Sequence, residues 1–299
     1  MTHRHIIGFG EVLWDILPDG PVPGGAPMNA VLRLRSLGWN AGIISAVGND
    51  HLGSALTDLL RTHSVDLSLL QVHPDLPTGT VRVSLNRNGE PTYDIAFPSA
   101  WDHITADDRS LDAVRSADAF IFGTLACRHA TSRNTLFQLL EAAPFRVFDV
   151  NLRQSFYSMD LIEDILRQTE LLKLNMEELF ILTGTESGGD VKGAIQKLKE
   201  RTTAAAICVT RGENGAVVLA GGQFSEHPGY RVAVADTVGA GDSFLAGFVS
   251  EYVQGAPVSR ALDVGCALGA MVASRKGANP TINANEIAGF IEKQKHIGT

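Results

Sequence analysis

The residues with the clearest chemical potential lie in the stretch A-D-T-V-G-A-G-D-S-F at positions 235–244. A Gly-Ala-Gly turn opens a long helical pattern there, and Asp242 falls in the first turn of the predicted helix. The N–H groups of Gly239, Ala240, Gly241 and Asp242 would point towards an anion, with the helix dipole behind them. A carboxylate beside such amides can accept a proton from an attacking hydroxyl. The spacing predicts phosphoryl transfer to an alcohol, with a plain helix cap as the alternative.

Two other nucleotide-binding motifs are missing from the sequence. A dinucleotide fingerprint needs a third glycine where Phe244 stands, and the glycines at positions 8 and 10 are followed by Leu13 at the matching place. The sequence has no Gly-Lys dipeptide, which excludes a Walker A P-loop. These patterns argue against a nicotinamide-dependent oxidoreductase and against a P-loop nucleotidase.

The composition indicates a globular chain of one large or two small domains. The 299 residues include 44% hydrophobic and 19% charged residues, with a net charge of −8. An acidic chain argues against nucleic acid or an anionic membrane as the main partner. Cys127, Cys208 and Cys266 are too widely spaced for a disulfide framework or a cysteine zinc site. Without a signal-peptide pattern or a run of about 20 apolar residues, we expect a cytoplasmic protein.

Apolar runs alternate with helical patterns along most of the chain. This alternation predicts an α/β fold with a doubly wound, mostly parallel sheet covered by helices on both faces. The predicted strands are His5–Gly10, Gly42–Val47, Ala119–Gly123, Arg146–Val150, Leu171–Leu174 and Ala205–Thr210. The predicted helices are Met28–Leu37, His51–Thr62 after the cap Asp50, Ser132–Ala142, Leu161–Gln168, Glu177–Thr183, Val191–Arg201 after the cap Asp190, Asp242–Gln254 and Pro257–Ser274.

One segment departs from the alternation. Thr80–Leu85 and Thr92–Phe97 alternate with period two around an Asn88-Gly89 turn, which predicts an antiparallel hairpin. Glu11–Leu17 alternates in the same way. We expect these pieces to form a small sheet that acts as a lid over a ligand or as a dimer surface, with edge strands of the main sheet as the alternative.

Three motifs connect the chain to a known family. D-T-V-G-A-G-D at 236–242 resembles the C-terminal signature of the ribokinase-like (PfkB) carbohydrate kinases, and P-G-G-A-P-M-N-A at 23–30 resembles their N-terminal signature. G-E-V-L-W-D at 10–15 resembles the family's sugar-contacting first strand. The resemblance runs from about residue 5 to residue 280. It implies one ribokinase-like kinase domain over 1–299, with a β-sheet lid from 11–20 and 78–98 that makes a homodimer in many members.

The resemblance implies roles at the phosphate end of the site. Asp242 would be the catalytic base, and the amides of Gly239, Ala240, Gly241 and Asp242 would form the anion hole. Asn175 and Glu178 match an Asn-x-x-Glu motif that holds Mg²⁺ through water, although a solvated helix start is the alternative. Thr210, Gly212 and Gly215 resemble the loop that receives ATP, and taken alone they are a hairpin turn.

A second group of residues would bind the sugar. Asp15 is an acid in an apolar strand, which hydrogen bonds from vicinal hydroxyls would explain. Gly25 and Asn29 would complete that contact set. Arg153 follows a strand, where it would meet the sugar or the γ-phosphate, with a surface charge as the alternative. Phe97 would offer an apolar contact from the lid or pack in the lid core.

The resemblance also implies a monovalent cation beside the anion hole. Many family members hold it largely by backbone carbonyls, and Asp236, Val238 and the loop 275–279 occupy the matching positions. We therefore expect ATP and Mg²⁺ as cofactors, with K⁺ as a further candidate.

The motifs are most similar to those of fructokinases, which make fructose 6-phosphate. The 2-keto-3-deoxygluconate kinases share the D-x-N-x-R stretch but supply a basic lid residue for the substrate carboxylate. The second lid strand here carries the acid Asp94 and no base, which favours a neutral sugar. Ribokinase or nucleoside kinase activity stays open, because a few pocket side chains separate these enzymes. A non-catalytic sugar- or nucleotide-binding regulator is the alternative from another class, against which the intact Asp242, Asn175 and Glu178 argue.

Overall fold

The structure is a computed structural model and describes residues 5–85 and 91–297. The strands are β1 (His5–Phe9), β2 (Leu13–Leu17), β3 (Gly20–Gly24), β4 (Asn40–Gly48), β5 (Leu70–His73), β6 (Gly79–Leu85), β7 (Pro91–Ile95), β8 (Ala119–Gly123), β9 (Arg146–Asp149), β10 (Leu171–Asn175), β11 (Ala206–Thr210), β12 (Ala216–Ala220) and β13 (Gln223–His227). The helices are α1 (Ala26–Ser36), α2 (His51–Thr62), α3 (Asp108–Arg115), α4 (Ala130–Ala142), α5 (Met159–Leu166), α6 (Met176–Thr183), α7 (Val191–Lys199), α8 (Ala240–Tyr252), α9 (Val258–Ala273) and α10 (Ala284–Ile297).

The predicted α/β architecture is confirmed. A nine-stranded sheet runs in the order β13-β12-β11-β10-β9-β8-β1-β4-β5, and only the pairings of β12 are antiparallel. Neighbouring residues of β1 enter different cores: Ile6 packs in a cluster with residues of α1 and α8, whereas Ile7 packs in one with residues of α4. The strands are therefore buried on both faces, as parallel strands usually are. Their carboxyl ends meet at one edge of the sheet.

A second sheet of four strands, in the order β3-β2-β6-β7, lies apart from the main sheet. The strand β2 pairs with β6 in parallel and with β3 in antiparallel fashion, and β6 with β7 forms the predicted hairpin. The alternative of edge strands in the main sheet is thus wrong for these segments. The predicted Asn88-Gly89 turn lies outside the described residues.

The register of the second sheet corrects the interpretation of Asp94. Val81 lies opposite both Asp15 and Ile95, so these three share one face of the sheet. On that face Val81 and Ile95 are buried in the same core as Trp101. Asp94 lies opposite Arg82 on the other face, and both are exposed. The acid of β7 therefore points away from the Asp15 side and does not select a neutral sugar there.

Six elements were not predicted: β3, β5, α3, β12, β13 and α10. Pro257, expected as the first helical residue, is the N-cap of α9. Within residues 5–85 and 91–297, no helix combines the length and apolarity needed to cross a membrane.

Candidate active site

The first turn of α8 lies at the centre of the candidate site. Gly239 caps the helix with φ 74°, and a Cβ there would come within 2.6 Å of the Cβ of Ala278. Only glycine fits both constraints. The N–H groups of Gly239, Gly241 and Asp242 have no acceptor in the described part of the chain. The N–H of Ala240 was expected to be free, but it donates to the carbonyl of Thr237 at 3.2 Å because the turn closes on itself.

The structure brings Asp242 together with Asn29, 213 positions away in the chain. Nδ2 of Asn29 donates to Oδ2 of the half-buried Asp242 at 2.8 Å. Asn29 is only 4% exposed, and its Oδ1 accepts from Nδ2 of Asn279 at 2.7 Å. Two residues from different predicted motifs therefore contact each other, and Asn279, not predicted as a side-chain contact, holds Asn29 in place.

Burial, with a smaller contribution from the nearby Asp149, raises the pKa of Asp242 to about 6. Lys173, the hydrogen bond from Asn29 and the charge of Arg153 each act to lower it. A carboxylate with such a pKa is ionised at neutral pH, yet it is a stronger base than an ordinary aspartate. The electrostatics therefore suit proton abstraction from an alcohol.

Lys173 and Asp149 form a buried ion pair that was not predicted. Nζ of Lys173 lies 2.8 Å and 3.1 Å from the two carboxylate oxygens of Asp149. A Cβ built at Gly241 would lie 3.3 Å from that Nζ, so the ammonium sits directly against the first turn of α8. Burial acts to lower the pKa of Lys173, but Asp149, Glu178 and Asp242 outweigh it and raise the pKa. A lysine inside an apolar strand was the sequence signal for this pair.

Asn175 and Glu178 form a capping box at the start of α6. Oδ1 of Asn175 accepts from the N–H of Glu178 at 2.9 Å, and Oε2 of Glu178 accepts from the N–H of Asn175 at 2.8 Å. Oε1 of Glu178 accepts from the N–H of Leu152 at 3.0 Å. Glu178 is buried, and this burial is the main cause that raises its pKa, so the alternative of a solvated helix start is wrong for it.

The side-chain oxygens of Glu178 and Asn175 fit a magnesium ion that is held through water. No group of three or more acidic, histidine or cysteine side chains in the described ranges could hold a metal ion directly. Mg²⁺ keeps several of its waters and takes further oxygens from phosphates, so it needs few protein ligands. One carboxylate and one amide, both fixed by the capping box, satisfy that requirement.

The predicted nucleotide loop lies beside the capping box. Thr210 is the register partner of Asn175 at the ends of β11 and β10. A short 3₁₀ helix then spans Gly212–Asn214, and the N–H of Arg211 donates to the carbonyl of Gly215 at 2.7 Å. The loop is therefore the hairpin turn between β11 and β12, placed next to Asn175.

The predicted sugar residues Asp15 and Gly25 lie around the start of α1. Gly25 is its N-cap with φ 116°, and a Cβ there would come within 2.3 Å of the carbonyl oxygen of Glu11. A Cβ at Gly24 would lie 2.4 Å from Oδ2 of Asp15, so this carboxylate lies directly against the backbone of Gly24, just before α1. Burial raises the pKa of Asp15, while Arg153 opposes that shift.

Glu11 is a further buried acid of the site that was not predicted as a site residue. It is 2% exposed, and its Oε2 has no hydrogen-bond partner among the residues that the structure describes. Burial raises its pKa to about 7, against the backbone N–H groups of Glu11 and Ala26 and the charge of Arg153, while Asp242 adds to the rise. Its position directly after the predicted strand His5–Gly10 was the available signal.

Arg153 is exposed in the loop that follows β9. Two other residues of that loop, Asn151 and Gln154, adopt left-handed φ angles of 41° and 50°. Such strain in residues other than glycine often accompanies functional sites. The charge of Arg153 acts to lower the pKa of Asp15, Glu11 and Asp242, so the guanidinium lies within electrostatic range of both the predicted sugar and the predicted phosphate residues.

Phe97 lies just beyond β7, the second hairpin strand, and is 57% exposed. Its ring centroid is 5.1 Å from Cζ of Arg128 and 6.2 Å from the ring centroid of His129. The ring is therefore available to a ligand rather than buried in a lid core.

Asp236 connects the two loops expected to hold a monovalent cation. Its Oδ1 accepts from the N–H of Val238 and its Oδ2 from the N–H of Gly277, both at 3.0 Å. Val238 is half exposed. The segment 236–238 and the loop 275–279 are thus neighbours, beside the first turn of α8.

Comparison with known proteins gives a consistent result. A family model described as pfkB family carbohydrate kinase matches residues 20–285. A fructokinase of Klebsiella pneumoniae is 30% identical over 257 residues, which cover 81% of this chain and 82% of that protein. A fructokinase of Salmonella typhimurium is 30% identical over 291 residues, which cover 90% and 93% of the two chains.

Solved structures share the fold over nearly the whole chain. A fructokinase of Vibrio cholerae O395, solved with fructose, ADP and calcium, is 25% identical with a TM-score of 0.84, and the match covers 97% of this chain and 100% of that one. A fructokinase of Xylella fastidiosa with bound ATP is 23% identical with a TM-score of 0.85, covering 98% and 99%. The second likeness concerns the fold alone.

Proposed function

The chain belongs to the pfkB family of carbohydrate kinases, and we propose that it transfers the γ-phosphate of ATP to the primary hydroxyl of fructose, forming fructose 6-phosphate. A phosphotransferase with an alcohol acceptor follows from the family. Fructose is supported by the 30% identical fructokinases and by the fructose-bound relative of Vibrio cholerae. With Asp94 turned away from the Asp15 face, the charge of the lid no longer contributes to this choice.

The observation that carries the proposal is the placement of Asp242 at the open amides of α8. In the reaction the hydroxyl oxygen forms a bond to the γ-phosphorus, and the bond from that phosphorus to the β–γ bridging oxygen breaks. The electron pair of the broken bond leaves with ADP, and the hydroxyl proton passes to the carboxylate of Asp242. The amides of Gly239, Gly241 and Asp242, together with Arg153, stabilise the charge on the transferring group.

Asp15, Gly25 and Asn29 would hold the sugar so that its hydroxyl faces Asp242, with Phe97 covering it. Positioning of this kind accounts for much of the rate in phosphoryl transfer. The lid would consist of 11–20 and 78–98 within a single kinase domain. We also propose that the chain forms a homodimer through this lid. Light scattering of the wild type and of Tyr93→Asp, which changes an exposed residue of β7, tests the homodimer.

Thr210, Gly212 and Gly215 would receive ATP. Magnesium, held through water by Glu178 and Asn175, would neutralise the phosphate charge when it is bound. Potassium would lie between Asp236, Val238 and the loop 275–279. Rates with KCl and with tetramethylammonium chloride at equal ionic strength test the potassium site, and equal rates would remove it from the proposal.

A coupled ADP-release assay over fructose, tagatose, ribose, 2-keto-3-deoxygluconate and adenosine tests the substrate. The highest kcat/KM should be for fructose, with the 6-phosphate identified by mass spectrometry and NMR. A preference for 2-keto-3-deoxygluconate or ribose would replace fructose but keep the sugar kinase. Sugar binding without any phosphorylated product would instead favour a regulator and contradict the proposed activity.

A further inference from the structure

The helix α1 carries a buried guanidinium that the proposed reaction does not use. Arg33 is 2% exposed, and it forms no ion pair with a carboxylate among the described residues. Burial, with a smaller contribution from Arg275, lowers its pKa to about 10, so the group stays charged at neutral pH. A buried charge without an opposite charge is costly, and its polar contacts must account for its presence.

Arg33 repeats, one helical turn further along, the bridging contacts of Asn29. Asn29 connects Asp242 with Asn279, as described above. Nε of Arg33 donates to Oγ of Ser243 at 3.2 Å, and its Nη2 donates to the carbonyl of Pro280 at 3.1 Å. Residues four apart on a helix lie on the same face. Each of the two therefore connects α1 with one residue of the first turn of α8 and one of the segment 279–280.

We propose that Arg33 is a positioning residue for phosphoryl transfer, which holds the base-bearing turn of α8 in register with α1 and with the segment 279–280. This inference rests on the proposed function, because it assigns the role through Asp242. The guanidinium has donors at fixed angles in one plane, so it can satisfy Ser243 and Pro280 at the same time. A lysine has a single nitrogen and would satisfy the two acceptors less well.

The surroundings distinguish this role from ordinary packing. Beside the polar contacts of Asn29 and Arg33, α1 and α8 pack through apolar side chains, with Met28, Val31 and Phe244 in one buried cluster. An apolar side chain would fill such an interface without the desolvation cost of a charge. The charged residue lies instead at the level of Ser243, next to the catalytic aspartate, and its second contact is next to Asn279, the partner of Asn29.

The test compares Arg33→Met with Arg33→Lys and with the matched control Arg35→Met. Arg35 lies on the same helix, but its Nη1 donates to the carbonyl of Trp39 at 2.9 Å and to Asn40 at 3.2 Å, away from the site. Arg33→Met should lower kcat about 10- to 100-fold, since small displacements of a catalytic group have effects of this size. The KM for ATP should change less than about threefold, and Arg33→Lys should recover part of kcat.

Arg35→Met should keep the wild-type kcat even where it lowers the melting temperature as much as Arg33→Met does. Wild-type kcat in Arg33→Met, or equal kcat losses in the two methionine variants, would overturn the proposal. If Arg33→Met does not fold, Ser243→Ala removes one contact alone and should still lower kcat several-fold; an unchanged kcat there would also overturn it.

Hydrogen exchange of the substrate-free protein separates this inference from the proposed function. In Arg33→Lys, and in Arg33→Met if it folds, amides of 240–245 and 281–284 should exchange faster than in wild type, whereas Arg35→Met should not change them. Faster exchange in the Arg33 variants, together with a wild type that phosphorylates no sugar, would contradict the proposed function but support the positioning role of Arg33. Unchanged exchange and unchanged kcat in the Arg33 variants of an active enzyme would contradict the positioning role of Arg33 but not the proposed function.

Discussion

At the scale of single residues, the raised pKa of Asp242 has a direct kinetic consequence. The base must be ionised to accept a proton, and its pKa lies at about 6 instead of the usual 3.8. The ionised fraction therefore falls as the pH falls through 6. We expect log kcat/KM for the sugar, which reports groups of the enzyme before the sugar binds, to decline with a slope near 1 below about pH 6.

Variants of the buried ion pair should move that acidic limb in opposite directions. Lys173→Met removes a charge that lowers the pKa of Asp242, so the limb should shift to higher pH. Asp149→Asn removes a charge that raises this pKa, so the limb should shift to lower pH. An acidic limb at the same pH in all three proteins would contradict the assignment of the limb to Asp242.

Glu11 should make the stability of the fold depend on pH. Its pKa in the folded chain is about 7 rather than 4.5, so the folded state binds this proton more tightly than the unfolded state. The corresponding stability is present below about pH 4.5 and is lost as the pH rises through 7. Relative to wild type, Glu11→Gln should gain up to roughly 3 kcal/mol in unfolding free energy between pH 4.5 and pH 8.

Urea unfolding at both pH values measures this gain, with Glu292→Gln as the control, because Glu292 is exposed on α10. The difference in unfolding free energy between Glu292→Gln and wild type should be the same at both pH values. A pH-independent effect of Glu11→Gln would show that Glu11 has the same pKa in the folded and unfolded states, and it would contradict the raised pKa.

At the scale of elements, the sequence predicts a helix or strand correctly where nearby residues determine the ends of that element. The helix α2 has the predicted bounds because Asp50 caps it, accepting from the N–H of Gly53 at 2.8 Å. The strand β3 reads G-P-V-P-G, which argues against a strand, and it exists because it occupies a sheet edge where prolines are tolerated. The missed α10 had a usable signal, since Asn283 and Glu286 form a capping box at its start.

The contacts of the candidate site likewise divide into those between residues close in sequence and those between distant parts of the chain. The residues of the first turn of α8 are consecutive, so their spacing predicts them, whereas Asn175 and Glu178 follow from the family resemblance of the Asn-x-x-Glu motif. The contact of Asn29 with Asp242 and the pair of Lys173 with Asp149 join distant parts of the chain, and no local pattern in one sequence encodes such pairings. The wrong inference from Asp94 has the same origin, because the face of a strand follows from its register with its neighbours.

The turn before α8 should tolerate no side chain at Gly239. Gly239→Ala would place a Cβ 2.6 Å from Cβ and 2.7 Å from Cα of Ala278 in a backbone with φ 74°. We expect kcat to fall at least about 100-fold, because the anion hole must move. Gly222→Ala is a matched control, with φ 76° and nothing within 4 Å of the added Cβ.

The control should lose only about 1 kcal/mol of stability and keep its kcat. Equal kcat in the two alanine variants, compared at a temperature where both are folded, would contradict the role given to this turn.

At the scale of the whole molecule, the net charge of −8 is compatible with a polyanionic nucleotide. The groups proposed to bind phosphate are backbone amides and an exposed arginine, so the attraction is local and does not need a positive net charge. The nine-stranded sheet brings the ends of β9, β10 and β11 to one edge, and the four-stranded sheet places Asp15 near the start of α1. The architecture thus gathers site residues from segments that are distant in the sequence.

The central claim is that Asp242 removes the proton from a sugar hydroxyl during phosphoryl transfer. Its most direct test is the rate of fructose 6-phosphate formation by Asp242→Asn beside wild type and Asp108→Asn, which changes an exposed acid in the first turn of α3. Wild type and Asp108→Asn should form the product at equal rates, and Asp242→Asn should be slower by about 10²–10⁴-fold while binding fructose within a few-fold of wild type. Product formation by Asp242→Asn at the wild-type rate would contradict the account.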